Sequence, residues 1–396
     1  MLAVSSLHRR FKEASCELEA KISPPYDRFA SRQYGKALRQ LIRDVSGAEK
    51  AHSRAMSLIC GVLFTLIEVL QGSNTQALAH LDGIIKLLNE TSRPKHAETH
   101  EMFMTDVEED LRPVISRLDV QASVFSTTRP PGLTLPPLPV EGDSTRPFTD
   151  LGNAEEELTT LMMHMSHFKR TTANTFRYET AGDIPIEVLG HQNQLTYHFR
   201  RWWRNANTLL TSATLENNPK AFLLQVHYHA SWTMLQGCLH AEETIYDGLT
   251  GNFAEIVRLS AALEKATSKQ TSRTFAADTG RVFPLYWTTL RCRDGYMRRA
   301  ALHQLRACSQ EGVWVPEIQV RVAERVIEIE EGLPFSPVGS ETASLFPRCD
   351  DALEFRRIHS VGLDVDMGRQ AVRMTYHRRL NGLDGEWNFG QEWLSY

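Results

Sequence analysis

Three consecutive residues with ring side chains, His227, Tyr228 and His229, are the first candidates for chemistry in this chain. They lie in a segment that is apolar nearly all round, which predicts a buried helix over residues 220–246. A helix turns about 100° per residue, so His227 and His229 point about 200° apart and cannot bind one metal ion together. Each is interpreted either as a hydrogen-bonded structural residue or as an acid–base group that lines a pocket.

Six further ring side chains could line a pocket for an apolar ligand. They are His164, His167, Trp203, Trp232, Tyr286 and Trp287. The first two lie three residues apart on a predicted helix, a spacing at which two imidazoles can bind one metal ion. Metal sites normally use three or four protein ligands, and no cysteine or carboxylate lies beside these histidines in the sequence. We therefore predict no metal site and interpret both as core or surface residues.

Residues 198–205, with the sequence HFRRWWRN, mix basic and aromatic side chains as a nucleic-acid surface does. The whole chain carries a net charge of −4, with 44 Lys and Arg against 48 Asp and Glu. Non-specific DNA binding depends on several clustered basic groups that neutralise phosphates. The two tryptophans are therefore interpreted as packing residues, and no direct binding of nucleic acid is predicted.

The sequence contains no short motif of a common catalytic or nucleotide-binding site. The P-loop, the dinucleotide-binding glycine motif, the zinc-protease HExxH and the GxSxG elbow are all missing from it. No cofactor is predicted. The six cysteines lie at least sixteen residues apart, which excludes a local CxxC zinc site and favours reduced thiols.

The start of the chain and its most apolar run predict an intracellular protein. Charged residues begin after seven positions, so no signal peptide is expected. The run at residues 58–70 is shorter than the roughly 20 residues that a membrane span needs, and no membrane partner is predicted. The expected compartment is the nucleus for a regulator and the cytoplasm for an enzyme.

The elements that must position these candidates are helices. Apolar periodicity predicts an all-α protein, a large body of packed antiparallel helix pairs with a C-terminal β-hairpin. The clearest pair lies in residues 281–331, where Asp294 is a strong N-cap and Gly312 is expected to end the first helix. Pro316 suits the first turn of the second helix, and Gly332 its end. The acidic residues just before Gly332 are interpreted as a solvated helix end, with a basic partner as the alternative.

Composition divides the chain into four parts that are expected to form one compact unit. They are an N-terminal helical part (1–125), a proline-rich loop (126–150), a central helical part (151–335) and a hairpin with its tail (350–396). Pro113 is expected to interrupt a helix in the first part. Apolar residues alternate from Val361 to Val365 and from Val372 to Tyr376, which predicts the two strands of the hairpin.

Strings near the centre of the helical pair, PLYWTTLRCRD, RRAALHQLRAC, EGVW and RVAERVIEIEE, resemble the C-terminal regulatory region of fungal binuclear zinc-cluster transcription factors. Matching segments in the same order, such as FRRWWRNANTLL, extend the resemblance from about residue 3 to about residue 378. The six closely spaced cysteines with which these factors hold zinc and bind DNA are absent from this sequence. The resemblance implies a regulatory scaffold without its DNA-binding module.

Two functions of different classes remain as hypotheses. In the first, the chain is an effector-sensing regulatory domain linked to fungal secondary metabolism, and it binds a small apolar metabolite and contacts a protein partner or a second copy of itself. In the second, the same scaffold is a cofactor-free isomerase or cyclase of natural-product biosynthesis. His227, Tyr228 and His229 would then move a proton inside an aromatic pocket.

Overall fold

The computed structural model of the chain is mostly helical, with a small antiparallel sheet near the C-terminal end. The predicted helical character is confirmed. The structure describes residues 1–13, 24–45, 50–91, 101–126, 129–138, 146–178, 183–212, 215, 217–267, 275–335, 353–366, 368–381 and 385–396. The predicted start of the C-terminal part at residue 350 lies outside these ranges. Among the helices of these ranges, none is both long and apolar enough to cross a membrane.

The first five helices pack around two apolar cores. They are α1 (Leu2–Glu13), α2 (Pro24–Val45), α3 (Lys50–Gln71), α4 (Asn74–Thr91) and α5 (Glu101–Phe125). Helices α1, α2 and α3 enclose a small core that contains Leu7 and Phe64, whereas α4 and α5 contribute to the main core. A short turn at Gly72, whose φ of 79° favours glycine, joins α3 to α4.

Helix α2 carries a row of basic residues on its exposed side. They are Arg28, Arg32, Lys36, Arg39 and Arg43, and all five are exposed. Spacings of three and four residues align them along one face of the helix. The chain is acidic overall, but this face of α2 is locally basic. The basic face was not predicted from the sequence.

Helix α5 continues through Pro113, so the predicted interruption is wrong. A proline inside a helix removes one backbone hydrogen bond and strains the preceding turn, at a cost of about 3 kcal/mol. Ile115 and Leu118 on the following turns are buried in the main core. Burial of two such side chains contributes a similar amount in the favourable direction, so the helix persists to Phe125.

Five helices and two short turns form the centre of the molecule. The helices are α6 (Leu151–Phe168), α7 (Asn174–Tyr178), α8 (Ile186–Leu210), α9 (Pro219–Gly237) and α10 (Thr250–Thr267). One π-helical turn, Lys169–Ala173, joins α6 to α7, and a 3₁₀ helix, Glu243–Leu249, precedes α10. Helix α9 packs against α6, α8 and α10 and is buried on most sides, as its apolar pattern predicted.

Helix α9 ends at Gly237, whereas the sequence predicted it to continue to residue 246. A Cβ atom at position 237 would lie 2.4 Å from the hydroxyl oxygen of Tyr246. The chain therefore passes Tyr246 at a distance that only glycine allows. The turn that follows leads into the 3₁₀ helix, whose Glu243 is fully buried.

Three helices follow α10, and they contain the predicted helical pair. They are α11 (Val282–Arg291), α12 (Gly295–Arg306) and α13 (Pro316–Glu331). Asp294 caps α12 by accepting the N–H of Met297 at 2.7 Å, and Gly332 ends α13 with a φ of 69°. Both ends are as predicted. Helix α12 ends at Arg306, however, and not at Gly312, because the chain after it forms a turn in which Glu311 pairs with Ala276 and Trp314.

The C-terminal sheet has three strands in the order β1 (Ser360–Asp366), β2 (Ala371–Arg378) and β3 (Asn388–Ser395). The predicted hairpin is confirmed, with Leu363 opposite Met374. The third strand was not predicted. It pairs with β2 and places Leu394 opposite Val372, and both of these side chains are buried.

Charged side chains form a buried network between the central helices and the C-terminal segment. Glu243 is paired with Arg177, with Arg291 at 2.5 Å and with Arg293 at 3.0 Å. Glu330, near the end of α13, is paired with Arg293 and Arg298 at 2.8 Å each. All of these side chains are buried. The interpretation of the acidic residues before Gly332 as a solvated helix end is therefore wrong for Glu330.

The network also holds the chain that leads into the sheet. Glu330 accepts the backbone N–H of Ile358 at 2.8 Å, and Arg291 donates to the carbonyl oxygens of Ile358 and His359. Burial opposes ionisation of Glu243, but Arg291, Arg177 and Arg293 outweigh burial and hold its pKa well below the ordinary value. The stability from this carboxylate is thus present above its unfolded-state pKa and is lost as the pH falls.

We expect Glu243→Gln to lower the free energy of unfolding by about 3–5 kcal/mol, because it leaves buried guanidinium groups without their anion. Urea unfolding followed by circular dichroism at neutral pH measures this change. The matched control is Glu242→Gln at the exposed neighbour, which should change stability by less than about 0.5 kcal/mol. Equal effects of the two substitutions would show that the network is not what holds these segments.

Candidate ligand-binding cleft

A cleft opens between α5, α6 and α9, beside the loop at residues 129–138. It consists of two adjoining cavities, of about 250 Å³ and about 80 Å³, which share Arg117 and Thr159 in their walls. The larger one is also lined by Arg112, Pro113, Ser116, Leu133, Thr134, Pro136, Glu156, Thr160 and Met163. The smaller one is also lined by Val120, Glu155, Leu158, Met162, Lys220, Leu223, Leu224, His227, Asp278 and Thr279. A concave site of this mixed character suits a small molecule.

Most charges of the cleft are already paired across its walls. Arg117 of α5 donates to Asp278 at 2.9 Å, and Lys220 of α9 is paired with Glu155 of α6 at 2.8 Å. Arg112 makes no ion pair or hydrogen bond within the described part of the chain. Its guanidinium group is therefore available to an anionic group of a ligand.

His227 is the one predicted acid–base candidate that lines this cleft. Its Nε2 atom lies 2.9 Å from the carbonyl oxygen of Gly280. A carbonyl oxygen only accepts, so Nε2 carries the proton of the neutral ring and Nδ1 carries the lone pair. Burial lowers the pKa of His227 below its ordinary value, which keeps the ring neutral at physiological pH.

Glu311 holds the segment that His227 contacts. Its carboxylate accepts the backbone N–H groups of Gly280 and Arg281 at 3.0 Å each and of Val282 at 2.8 Å, and so caps α11. Burial raises the pKa of Glu311 to about 7, against the opposing effect of these donors. A Cβ atom at position 280 would lie 2.2 Å from a carboxylate oxygen of Glu311, so this contact requires glycine.

Tyr228 points away from the cleft into a stack of aromatic rings. Its ring centroid lies 4.5 Å from that of Trp203 and 6.1 Å from that of Trp232, with the planes nearly parallel. Trp202 stacks on the same ring at 5.5 Å. Burial raises the pKa of Tyr228, which keeps its hydroxyl protonated. Three predicted pocket or catalytic residues thus meet here, in a packed cluster that lies outside the two cavities.

His229 joins the edge of this aromatic stack. Its ring meets Trp203 at 5.2 Å, and its Nδ1 atom lies 3.0 Å from the amide nitrogen of Asn252. Burial lowers the pKa of His229 to about 4. His227 therefore lies in different surroundings from Tyr228 and His229, which share the aromatic stack on another side of the helix.

The remaining predicted pocket residues lie elsewhere. Trp287 donates from Nε1 to the hydroxyl of Thr233 at 3.0 Å inside the core, and Tyr286 packs 6.1 Å from Trp314 between ring centroids. Neither residue lines the cleft.

His164 and His167 do not share a partner. His164 Nε2 lies 2.7 Å from the carbonyl oxygen of Pro136, a residue that lines the larger cavity. His167 Nδ1 lies 3.5 Å from the hydroxyl of Thr171. Within the part of the chain that the structure describes, no three His, Cys, Asp or Glu side chains converge on a point where they could hold a metal ion.

Sequence reasoning missed the polar groups that shape the cleft, above all Arg112, Arg117 and Asp278. Arg117 and Asp278 are 161 residues apart, and no local pattern relates them. Pro113, the neighbour of Arg112, was expected only to interrupt the helix.

Comparisons with protein-family models, with curated proteins and with solved structures found no significant match for this chain.

The raised pKa of Glu311 predicts a pH effect on stability. Glu311→Gln removes the titration, whereas the native carboxyl group favours folding below its unfolded pKa and loses that contribution as the pH rises through about 7. The free energy of unfolding of the native chain, minus that of the variant, should fall by about 1–3 kcal/mol between about pH 5 and about pH 8. Urea unfolding at both pH values measures it.

A difference that stays constant or grows with pH would contradict this expectation. It would mean that the three backbone N–H donors outweigh burial and hold Glu311 ionised throughout.

Proposed function

We propose that this chain is a helical effector-sensing domain that binds a small molecule in the cleft between α5, α6 and α9. The observation that carries the proposal is the cleft itself, whose walls come from segments far apart in sequence and whose polar groups are mostly paired with one another. Such a site can recognise a ligand without supplying a set of catalytic groups.

The chemical class of the ligand follows from the lining. Leu133, Met163 and Pro136 offer apolar surface in the larger cavity, and Arg112 offers an unpaired cation. A small, largely apolar metabolite with one carboxylate or similar anionic group fits these requirements. The larger cavity, at about 250 Å³, limits it to a compact molecule.

In this proposal, the ion pair between Arg117 and Asp278 couples ligand binding in the cleft to a change in the arrangement of its walls. It joins α5 to the segment before α11 at the junction of the two cavities. A ligand that favours the open or the closed form of this contact shifts the population between two arrangements of the walls. In this proposal a protein partner, or a second copy of the chain, reads that shift, and neither nucleic acid nor membrane is contacted.

A second candidate function, a cofactor-free isomerase or cyclase, is favoured by one observation. His227 is neutral and lines the smaller cavity, and a neutral imidazole can accept a proton from a bound substrate. Tyr228 and His229 would not take part, because they pack in the aromatic stack. The regulator would act in the nucleus and the enzyme in the cytoplasm.

Incubation of the purified protein with extract of a fungal culture, followed by mass spectrometry of the bound and free compounds, distinguishes the two functions. Retention of one compound, unchanged and in stoichiometric amount, is the expected result. Catalytic conversion of a compound would instead support the isomerase or cyclase, and His227→Ala should then abolish turnover. If no compound is retained and none is converted, both functions are contradicted.

Thr159→Trp tests whether the cleft is the binding site. Thr159 borders both cavities, so an indole there fills their junction. Retention should fall at least about tenfold, equivalent to about 1.4 kcal/mol of binding free energy. The matched control is Thr208→Trp on the exposed side of α8, which should retain the compound fully. Equal retention by both variants would place the ligand elsewhere.

A further inference from the structure

Lys169 occupies a rare local structure beside the central core. It begins the π-helical turn Lys169–Ala173, in which the N–H of Asn174 donates to the carbonyl oxygen of Lys169, five residues earlier. Isolated π turns are uncommon and are frequently found at functional sites. The turn adds a residue to the helix, and the side chain of Lys169 meets the indole of Trp287, with Nζ 5.0 Å from the ring centroid.

The amine of Lys169 has no anionic partner. Across the residues that the structure describes, no carboxylate lies within ion-pairing distance of Nζ, and no hydrogen bond to it is formed. The side chain is half-buried. A lysine in this position usually pairs with Asp or Glu, because an isolated ammonium group is costly to remove from water.

The groups around Lys169 are cationic or neutral. Arg291 lies over the same ring of Trp287, with its guanidinium carbon 4.9 Å from the centroid. Burial, then Arg170, Arg291 and Arg177, lower the pKa of Lys169 well below its ordinary value. The nearby thiol of Cys238 cannot offset this charge, since burial raises its pKa to about 11 and keeps it protonated.

We propose that Lys169 is a carbonyl-binding residue that captures a small aldehyde or ketone as an imine. The site is separate from the cleft, because neither Lys169 nor Trp287 lines the two cavities. The proposal is therefore independent of the effector-sensing function, and each can be tested without the other. Desolvation beside other cations is a recognised way in which proteins activate a lysine amine as a nucleophile.

The chemistry needs no further reactant. The lone pair of the Lys169 nitrogen attacks the carbonyl carbon, a C–N bond forms, and the C=O π bond breaks to place an electron pair on oxygen. Proton transfer from nitrogen to oxygen gives a carbinolamine. Loss of water, with a second proton from nitrogen, then gives the neutral imine. The sum is amine plus carbonyl compound giving imine plus water.

Reductive methylation of the whole protein with formaldehyde and cyanoborohydride tests the proposal. Cyanoborohydride delivers hydride to the iminium carbon, and peptide mass spectrometry then reports the rate at each lysine. At about pH 7, Lys169 should react at least about tenfold faster than a solvated lysine, because its lowered pKa leaves a larger fraction of the amine deprotonated. Exposed Lys36 and Lys86, and Lys220 in its ion pair with Glu155, are internal references.

Two results would overturn the proposal. Methylation of Lys169 at or below the rate of Lys36 and Lys86 would show that the amine is protonated or out of reach. Fast methylation that inorganic phosphate suppresses at Lys169 alone would instead identify an anion site. Lys169→Met removes the amine without adding a charge and should abolish the fast-reacting group, with circular dichroism and the rates at the reference lysines unchanged.

Discussion

Two buried carboxylates, Glu243 and Glu330, determine how the second half of this molecule is assembled. They gather arginines from α7, α11, α12 and the linker before α12, and Glu330 also accepts the backbone N–H of Ile358. A buried ion pair gains little over an apolar contact, but removal of one partner leaves an uncompensated charge at several kcal/mol. These segments therefore have to come together as a unit, and the network selects one arrangement among many apolar packings.

The cleft depends on this network through α11. Arg291 anchors the C-terminal end of that helix, and Glu311 caps its N-terminal end. The wall segment at residues 278–280 thus stands at the start of a helix that is fixed at both ends. The opposite wall, on α5 and α6, makes no contact with Glu243 or Glu330 among the described ion pairs. Under the proposed function, we expect movement in response to a ligand at the contact between these two walls.

Local patterns in the sequence predicted most of the helices and the β-hairpin. The features that depend on contacts between distant residues could not be predicted in this way. Asp294 and Gly332 act through residues a few positions away, so the ends they mark could be predicted. The early end of α12 depends on the pairing of Glu311 with Ala276, and the burial of Glu330 depends on arginines of other elements. Residues adjacent in sequence on a helix face different surroundings, so the ring side chains predicted to share one pocket are divided between the smaller cavity, the aromatic stack and the core. A cleft between five segments leaves no pattern in any one of them.

The isolation of Lys169 follows from the charge balance of the network. Four arginines share Glu243 and Glu330, so both buried carboxylates are already outnumbered before the lysine is considered. Another ammonium group beside Arg291 would add to the positive excess, and the π face of Trp287 faces it. A guanidinium group keeps its proton under such conditions, whereas a primary amine can lose it. Lys169 can thus lose its proton where the neighbouring arginines keep theirs. Loss of that proton lowers the excess positive charge and leaves the Lys169 amine as a nucleophile.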